Sequence, residues 1–305
     1  MNERDLIRSL KSLFAPVDRN GDFAVPFGDD MASVPQSQKL IWTTDMLLDG
    51  VHFDSKKHDC FLIGRKAMAV NLSDCGAMGA TPRGALCALA ASAEMTERQI
   101  LRLHEGAQEI GVQYGCPITG GDSNRWQEPT VFTITVIAEV GGYGPVRRDG
   151  AKVGDTLWVS GPLGGSILGR HLTFTPRVEL GLRLAGPSRA DAMMDISDGL
   201  AIDLSRMMEA SGCGAVLERD ALETIIHDDA RELSQEDGVA ALDHALYDGE
   251  DFELLVALPS NADMDQFTML GLTRIGTVVD AERGIQISDG KHSTPLPIRG
   301  WDHFE

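Results

Sequence analysis

Basic side chains are in short supply in this chain. There are 27 Lys and Arg against 46 Asp and Glu, a formal charge of −19 at pH 7. Polyanions repel such a chain, so nucleic acid and anionic membrane surfaces are not expected partners. A phosphorylated small molecule is still allowed, provided divalent cations stand between acid and phosphate. Cysteine is sparse too. Cys60, Cys75, Cys87, Cys116 and Cys213 are scattered, odd in number and without a C-x-x-C, so reduced thiols are expected. No apolar run reaches the roughly 18 residues of a membrane helix. Met1 to Phe14 carries Glu3, Arg4, Asp5, Arg8 and Lys11 where a signal peptide needs an apolar core. A cytoplasmic protein that is not membrane-bound is the expectation. Several catalytic signatures are also missing: the G-x-x-x-x-G-K-[ST] loop, the H-R-D and D-F-G pair, H-E-x-x-H and G-x-S-x-G. An ATP user with this sequence must have another architecture.

What is present is organised around Lys66-Ala67-Met68-Ala69-Val70-Asn71-Leu72-Ser73-Asp74-Cys75-Gly76-Ala77-Met78-Gly79-Ala80. Its small residues let a helix lie against a neighbouring backbone. Its polar trio Asn71, Ser73 and Asp74 sits inside an apolar run, where a carboxylate is costly unless paired or holding a metal. With 305 residues there is room for about two domains. The spacing predicts an opening helix over 2–14 and a turn at Gly28-Asp29-Asp30. A strand is expected from Leu40 to Thr44 ending at Asp45, then the small-residue helix and a strand from Arg83 to Ala91. Thr96-x-x-Gln99 reads as a capping box opening a helix to about Tyr114. A short strand is expected to end in Gly120-Gly121-Asp122. Glu128 to Val140 reads as a long apolar strand that needs cover if it lies at an edge. Gly141 to Pro145 is the linker candidate, giving domains 1–145 and 146–305. The second contains expected strands at 155–160, 192–196, 215–217, 252–258 and 273–279, and a helix after Ser197-Asp198-Gly199.

Taken singly, each aspartate has an ordinary explanation as a cap, turn or strand end. Together they form a pattern. Apolar segments in both halves end in, or enclose, an aspartate with small neighbours: Asp29, Asp30, Asp45, Asp74, Asp122, Asp195 and Asp198. Ligand crevices of α/β sheets lie beyond the carboxyl ends of strands. Carboxylates gathered there repel one another unless hard cations lie between them, and Mg²⁺ suits that role.

Eight motifs occur in order: Gly28-Asp29-Asp30, Thr43-Thr44-Asp45, Gly50-Val51-His52-Phe53, the Lys66–Ala80 stretch, Gly120-Gly121-Asp122, Arg148-x-Gly150-Ala151-x-x-Gly154-Asp155, Asp195-Ile196-Ser197-Asp198-Gly199-Leu200 and Gly249-Glu250-Asp251-Phe252-Glu253-Leu254. With the Gly300-Trp301-Asp302-His303-Phe304 tail they closely resemble the bacterial thiamine-monophosphate kinases. These belong to the superfamily of aminoimidazole ribonucleotide synthetase, selenophosphate synthetase and the hydrogenase maturation protein HypE. The resemblance implies a two-domain α/β (α+β) fold like that of the synthetase. It also implies a homodimer whose N-terminal sheets pair into a barrel, and transfer of the γ-phosphoryl group of ATP to thiamine monophosphate. Carried over by position, Asp30, Thr43, Thr44, Asp45, Asp74, Asp122, Asp195 and Asp198 are implied to hold several Mg²⁺ ions. Asp45, Asp74, Asp122 and Asp198 are the implied catalytic set. Gly121, Asp122, Arg148 and Ser197 are implied to contact ATP; His52, Glu250 and Trp301, thiamine monophosphate. From pattern alone Trp301 reads instead as a core plug. One departure is visible: the segment between Gly165 and Pro176 is shorter than in relatives. The rival readings are a sister synthetase of the superfamily and a non-catalytic nucleotide-binding regulator. Against the latter, acids retained without catalysis leave their repulsion unrelieved.

Overall fold

The computed structural model describes residues 31–34, 37–187 and 189–302. The expected opening helix and the turn carrying Asp30 lie outside them. A first sheet contains β1 (Ala32–Val34), β2 (Ser37–Leu48), β3 (Ala80–Ser92), β4 (Ile118–Trp126) and β5 (Val131–Val140), in the order β1-β2-β5-β3-β4. Only the β3–β4 pair is parallel. The helices α1 (Cys60–Met78) and α2 (Glu97–Gln113) cover one face. The long apolar strand β5, which would need cover at an edge, is central, paired along both sides by β2 and β3. The edges are β1 and β4, and β4 is exposed from Thr119 to Trp126.

Two strands run further than their sequences suggest. Asp45 does not end β2. Nine successive pairs, from Leu40↔Glu139 to Leu48↔Val131, carry the ladder through it. Gly121 and Asp122 likewise lie inside β4, paired with Cys87 and Ala88. A Cβ at Gly121 would lie 1.8 Å from the Cys87 carbonyl oxygen, so only glycine fits that approach. In both strands long-range pairing outweighs the poor strand propensity of Asp and Gly.

α1 is buried on nearly every side, as a helix without an amphipathic stripe must be. Asp59 caps it, accepting from Phe61 N at 2.7 Å, and Gly79 closes it in the left-handed conformation. α2 opens with the expected capping box: Gln99 N donates to Thr96 Oγ1 and Thr96 N to Gln99 Oε1.

The second sheet contains β6 (Thr156–Val159), β7 (Ala192–Asp195), β8 (Cys213–Glu218), β9 (Leu254–Leu258), β10 (Thr273–Asp280), β11 (Ile285–Ser288) and β12 (Ser293–Pro295). Their order is β12-β11-β8-β10-β6-β9-β7, with β8–β11 the parallel pair. Its helices are α3 (Arg170–Thr173), α4 (Val178–Leu184), α5 (Leu200–Ser211), α6 (Arg219–Thr224), α7 (Asp228–Asp237), α8 (Ala241–Tyr247) and α9 (Met264–Met269). One core, including Leu157, Met194, Leu204 and Leu255, lies under α5 and α8. Residues 141–145 connect the two sheets.

The halves meet on α1, which packs against α3, α4 and β7. The small residues of α1 act here as expected. A Cβ on Gly181 would lie 1.9 Å from the Gly76 carbonyl oxygen, so the two helices touch backbone to backbone. Among the described residues, no helix is long and apolar enough to cross a membrane.

Candidate active site

Three local structures carry most of the expected site residues. The first is the junction of β2, α1 and β7. Alternation along β2 points Thr43 towards α1, and its hydroxyl donates to Asp74 Oδ2. The adjacent helix residue, Ser73, donates to Asp195 Oδ2 at 2.5 Å, joining α1 to the end of β7. Asp195 is buried at 4% exposure. Asp45 and Asp74 both bear on Cys75, whose thiol is pushed well up by burial first and by their charges after it.

The second is the turn between β7 and α5. Ser197 N and Asp198 N both donate to Asp203 Oδ2 at 3.0 Å, so a buried carboxylate one helical turn on fixes the turn that precedes it. Burial, then the charge of Asp198, raises Asp203 to about 7, with Arg206 opposing. Arg206 bridges Asp203 and Asp198. Two other segments dock on this turn. Glu250 N donates to Ser197 O at 2.6 Å, and Trp301 N to Asp198 O at 2.9 Å. Trp301 is 49% exposed, so the indole is not a core plug.

The third is a buried polar cluster around Lys66, which has no exposed surface. Its ammonium donates to His52 O at 2.7 Å and to Glu250 Oε1, and lies 2.9 Å from His171 Nδ1. His52 Nδ1 accepts from Leu48 N at 3.0 Å, an assignment that puts the ring proton on Nε2. Burial acts to raise the Glu250 carboxyl, but the hydrogen bonds and charges of His171 and Lys66 outweigh it and hold the group below its ordinary value. Glu250 and Phe252 both adopt positive φ, 55° and 52°, which non-glycine residues seldom do outside functional sites.

These three structures bring together Thr43, Asp45, Asp74 and Asp195; Ser197, Asp198, Glu250 and Trp301; and His52 with Glu250. The remaining expected residues are placed apart. The register puts Thr44 in a row with Thr135 and Leu86, and Asp122 in a row with Ala88, Thr133 and Met46, on the sheet face opposite α1. Thr44 shares a hydrogen bond with Thr135 at 2.9 Å, and Asp122 accepts from Asn124 at 2.8 Å. The Arg148 carbonyl accepts from Ser211, at the C-terminal end of α5, whereas Ser197 and Asp198 precede its N-terminal end.

The donors near α1 are carboxylates and hydroxyls, hard ligands of the kind Mg²⁺ takes. Asn71, one turn before Asp74 on α1, has its amide oxygen buried without a hydrogen-bond partner among the described residues. This set fits a magnesium ion in chemistry. Among the described residues, no three His, Cys, Asp or Glu side chains form a metal-holding group in the protein's own geometry.

Sequence reading passed over Lys66, His171 and Asp203 as functional groups. For Lys66 a signal existed, since a lysine opening an otherwise apolar, small-residue helical run must find anionic partners. His171 and Asp203 had no comparable local signal.

Comparison with known proteins bears on the same fold and site. The model "AIR synthase related protein, N-terminal domain" matches residues 28–140, and "AIR synthase related protein, C-terminal domain" matches 146–287. These two domains in succession define the class: a mixed α/β, two-domain protein of the AIR synthase related type. The thiamine-monophosphate kinase of Rhodopirellula baltica is 42% identical over 268 residues, 84% of each chain. That of Aquifex aeolicus is 32% identical, over 91% of this chain and 92% of its own. Among solved structures, "AaThiL complexed with AMPPCP and TMP" superposes with a TM-score of 0.84 at 28% identity, covering 99% of this chain and 97% of that one. The chain belongs to the thiamine-monophosphate kinase family.

Proposed function

We propose that the protein transfers the γ-phosphoryl group of ATP to the phosphate of thiamine monophosphate, giving thiamine diphosphate and ADP. The observation that carries this reading is the docking of Glu250 and Trp301 on the Ser197–Asp198 turn, two residues from Asp195. Acceptor-side and nucleotide-side groups thereby share one backbone. The ligands of the Aquifex relative, AMPPCP and TMP, agree with such a pairing.

In the reaction, an oxygen of the acceptor phosphate forms a bond to the γ-phosphorus. The bond from that phosphorus to the β–γ bridging oxygen breaks, and ADP leaves with its electrons. The acceptor oxygen is already ionised near neutral pH, so no general base is required. Positioning and charge neutralisation supply the catalysis. Asp30, Thr43, Thr44, Asp45, Asp74, Asp122, Asp195 and Asp198 would hold Mg²⁺, which when bound neutralises the polyphosphate. Thr43 and Ser73 orient Asp74 and Asp195. The Gly121 backbone, Arg148 and Ser197 serve ATP. His52, through Nε2–H, donates to the acceptor phosphate, and Trp301 offers an indole face to the thiamine rings.

We further infer a homodimer whose N-terminal sheets close on one another, and a division of the chain at 141–145. The sheet face opposite α1 supports pairing, since it leaves Trp42, Met46 and Leu86 exposed beside the open β4 edge. It is also the face that carries Thr44 and Asp122, so pairing would gather these with acids of the second copy. Five free cysteines agree with a cytoplasmic setting.

The direct test is ADP release with thiamine monophosphate, formylglycinamidine ribonucleotide and selenide offered in parallel. Turnover with thiamine monophosphate alone is expected; turnover with either of the others in its place overturns the assignment. Light scattering is expected to give a dimer mass, and a stable monomer at micromolar concentration removes the paired sheets.

A further inference from the structure

Lys66 stands among the largest fully buried side chains, on a helix made mostly of small and apolar residues. Burying an ammonium costs several kcal/mol unless its donors are satisfied, so its position calls for an explanation. All its partners are non-local. His52 O belongs to the turn after β2, Glu250 to the strained segment before β9, and His171 to α3. One cation therefore spans three segments of both halves of the chain.

Glu250 is held from every side. Oε1 accepts from Lys66, and Oε2 lies 3.2 Å from His171 Nδ1. Its carbonyl accepts from Ser166 Oγ at 2.7 Å, and its N–H donates to Ser197 O. Phe252, two residues on, stacks on Phe174 with ring centroids 4.3 Å apart. Ser166, His171 and Phe174 lie in the segment that the family resemblance implies to be short. Arg65, beside Lys66 on α1, clamps it by donating to Leu172 O at 3.1 Å and Phe174 O at 2.6 Å. His58 closes the cluster with an edge contact to the His171 ring, centroids 5.6 Å apart.

We propose that Lys66 and His171 are positioning residues for the acceptor substrate: together they lock the Glu250 carboxylate and the His52 turn into one rigid frame. The proposal rests on the reading of His52 and Glu250 as acceptor-side groups. Neither Lys66 nor His171 touches the reacting atoms. A carboxylate held at both oxygens and a histidine turn held through its carbonyl lose little freedom when the acceptor arrives, which is how pre-organisation raises affinity. The effect falls on the acceptor, because the side-chain contacts of Lys66 and His171 end on His52 and Glu250, the acceptor-side groups.

The test measures KM for thiamine monophosphate and for ATP, with calorimetric binding of thiamine monophosphate alone, in wild type, Lys66→Met and His171→Gln. Wild-type turnover is the control: if it is absent, the proposed function fails before Lys66 is in question. With turnover present, Lys66→Met is expected to raise KM and Kd for thiamine monophosphate by roughly 10- to 100-fold, with KM for ATP within about twofold. His171→Gln is expected to act in the same direction by a smaller factor. It decides the matter if Lys66→Met does not fold. A lowered urea midpoint with both KM values unchanged, or an equal rise in both, makes the cluster a structural strut and overturns the proposal.

Discussion

Ser73, in the middle of a buried helix, donates its hydroxyl at 2.5 Å to Asp195, at the end of a strand 122 residues later. This bond ties the helix that organises the first half to the carboxyl edge of the second sheet. Removing the donor leaves a buried carboxylate short of one partner, at a cost of about 1–3 kcal/mol. Ser73→Ala should lower turnover by roughly 10- to 100-fold, the usual effect of losing a group that orients a metal ligand. Titrating turnover against Mg²⁺ checks it, because the half-saturating concentration should rise. An unchanged titration would leave Ser73 as a packing residue.

Asp122 makes a different case. It sits on the exposed β4, and its described partner is the neighbouring Asn124. Asp122→Asn should leave the urea midpoint almost unmoved, with stability changed by about 0.5 kcal/mol or less. Turnover should fall by more than the roughly 100-fold that marks the loss of a supporting group. Turnover within about tenfold of wild type at saturating Mg²⁺ would remove Asp122 from the metal set.

Trp301 is anchored through its backbone, so truncating its side chain keeps the Trp301 N–H bond to Asp198 O. Stacking of a flat ring on an aromatic is worth roughly 1–3 kcal/mol. Trp301→Ala should therefore raise KM for thiamine monophosphate by roughly 5- to 150-fold and leave KM for ATP nearly unchanged. Equal KM values in variant and wild type would show that the indole meets no substrate.

Asp251, buried beside Glu250, accepts from Gly164 N and pairs with Arg170. Burial pushes its carboxyl up to about 7, against the pull of Arg170. The folded chain thus keeps a proton that the unfolded chain releases near its ordinary value of 3.8. Stability from this group is full below about pH 4 and is lost as pH rises to about 7, up to about 4 kcal/mol in all. Asp203 contributes with the same sign. The urea midpoint of wild type should fall more steeply from pH 5 to 7 than that of Asp251→Asn. Parallel profiles would show that Asp251 is ionised throughout.

Much of the fold was legible because its causes are local. The Thr96–Gln99 capping box and the alternation of β5 depend on residues within a turn or a strand of one another. The small residues of α1 announced a close backbone contact, though not that Gly181 makes it. The order of the motifs identified the family, because each keeps its place along the chain whatever the fold does with it. Other features waited on the tertiary structure. Asp45 and Asp122 read as strand ends, since nothing nearby says that a ladder continues through them. Because side chains alternate across a strand, pairing register alone separates Thr43 from Thr44 and sends Asp122 to the face away from Asp74. Lys66 lies 184 residues from Glu250 and 105 from His171. A buried lysine can be expected to have anionic company from its sequence setting; which residues supply it is decided by chain topology, and no spacing rule reaches that far.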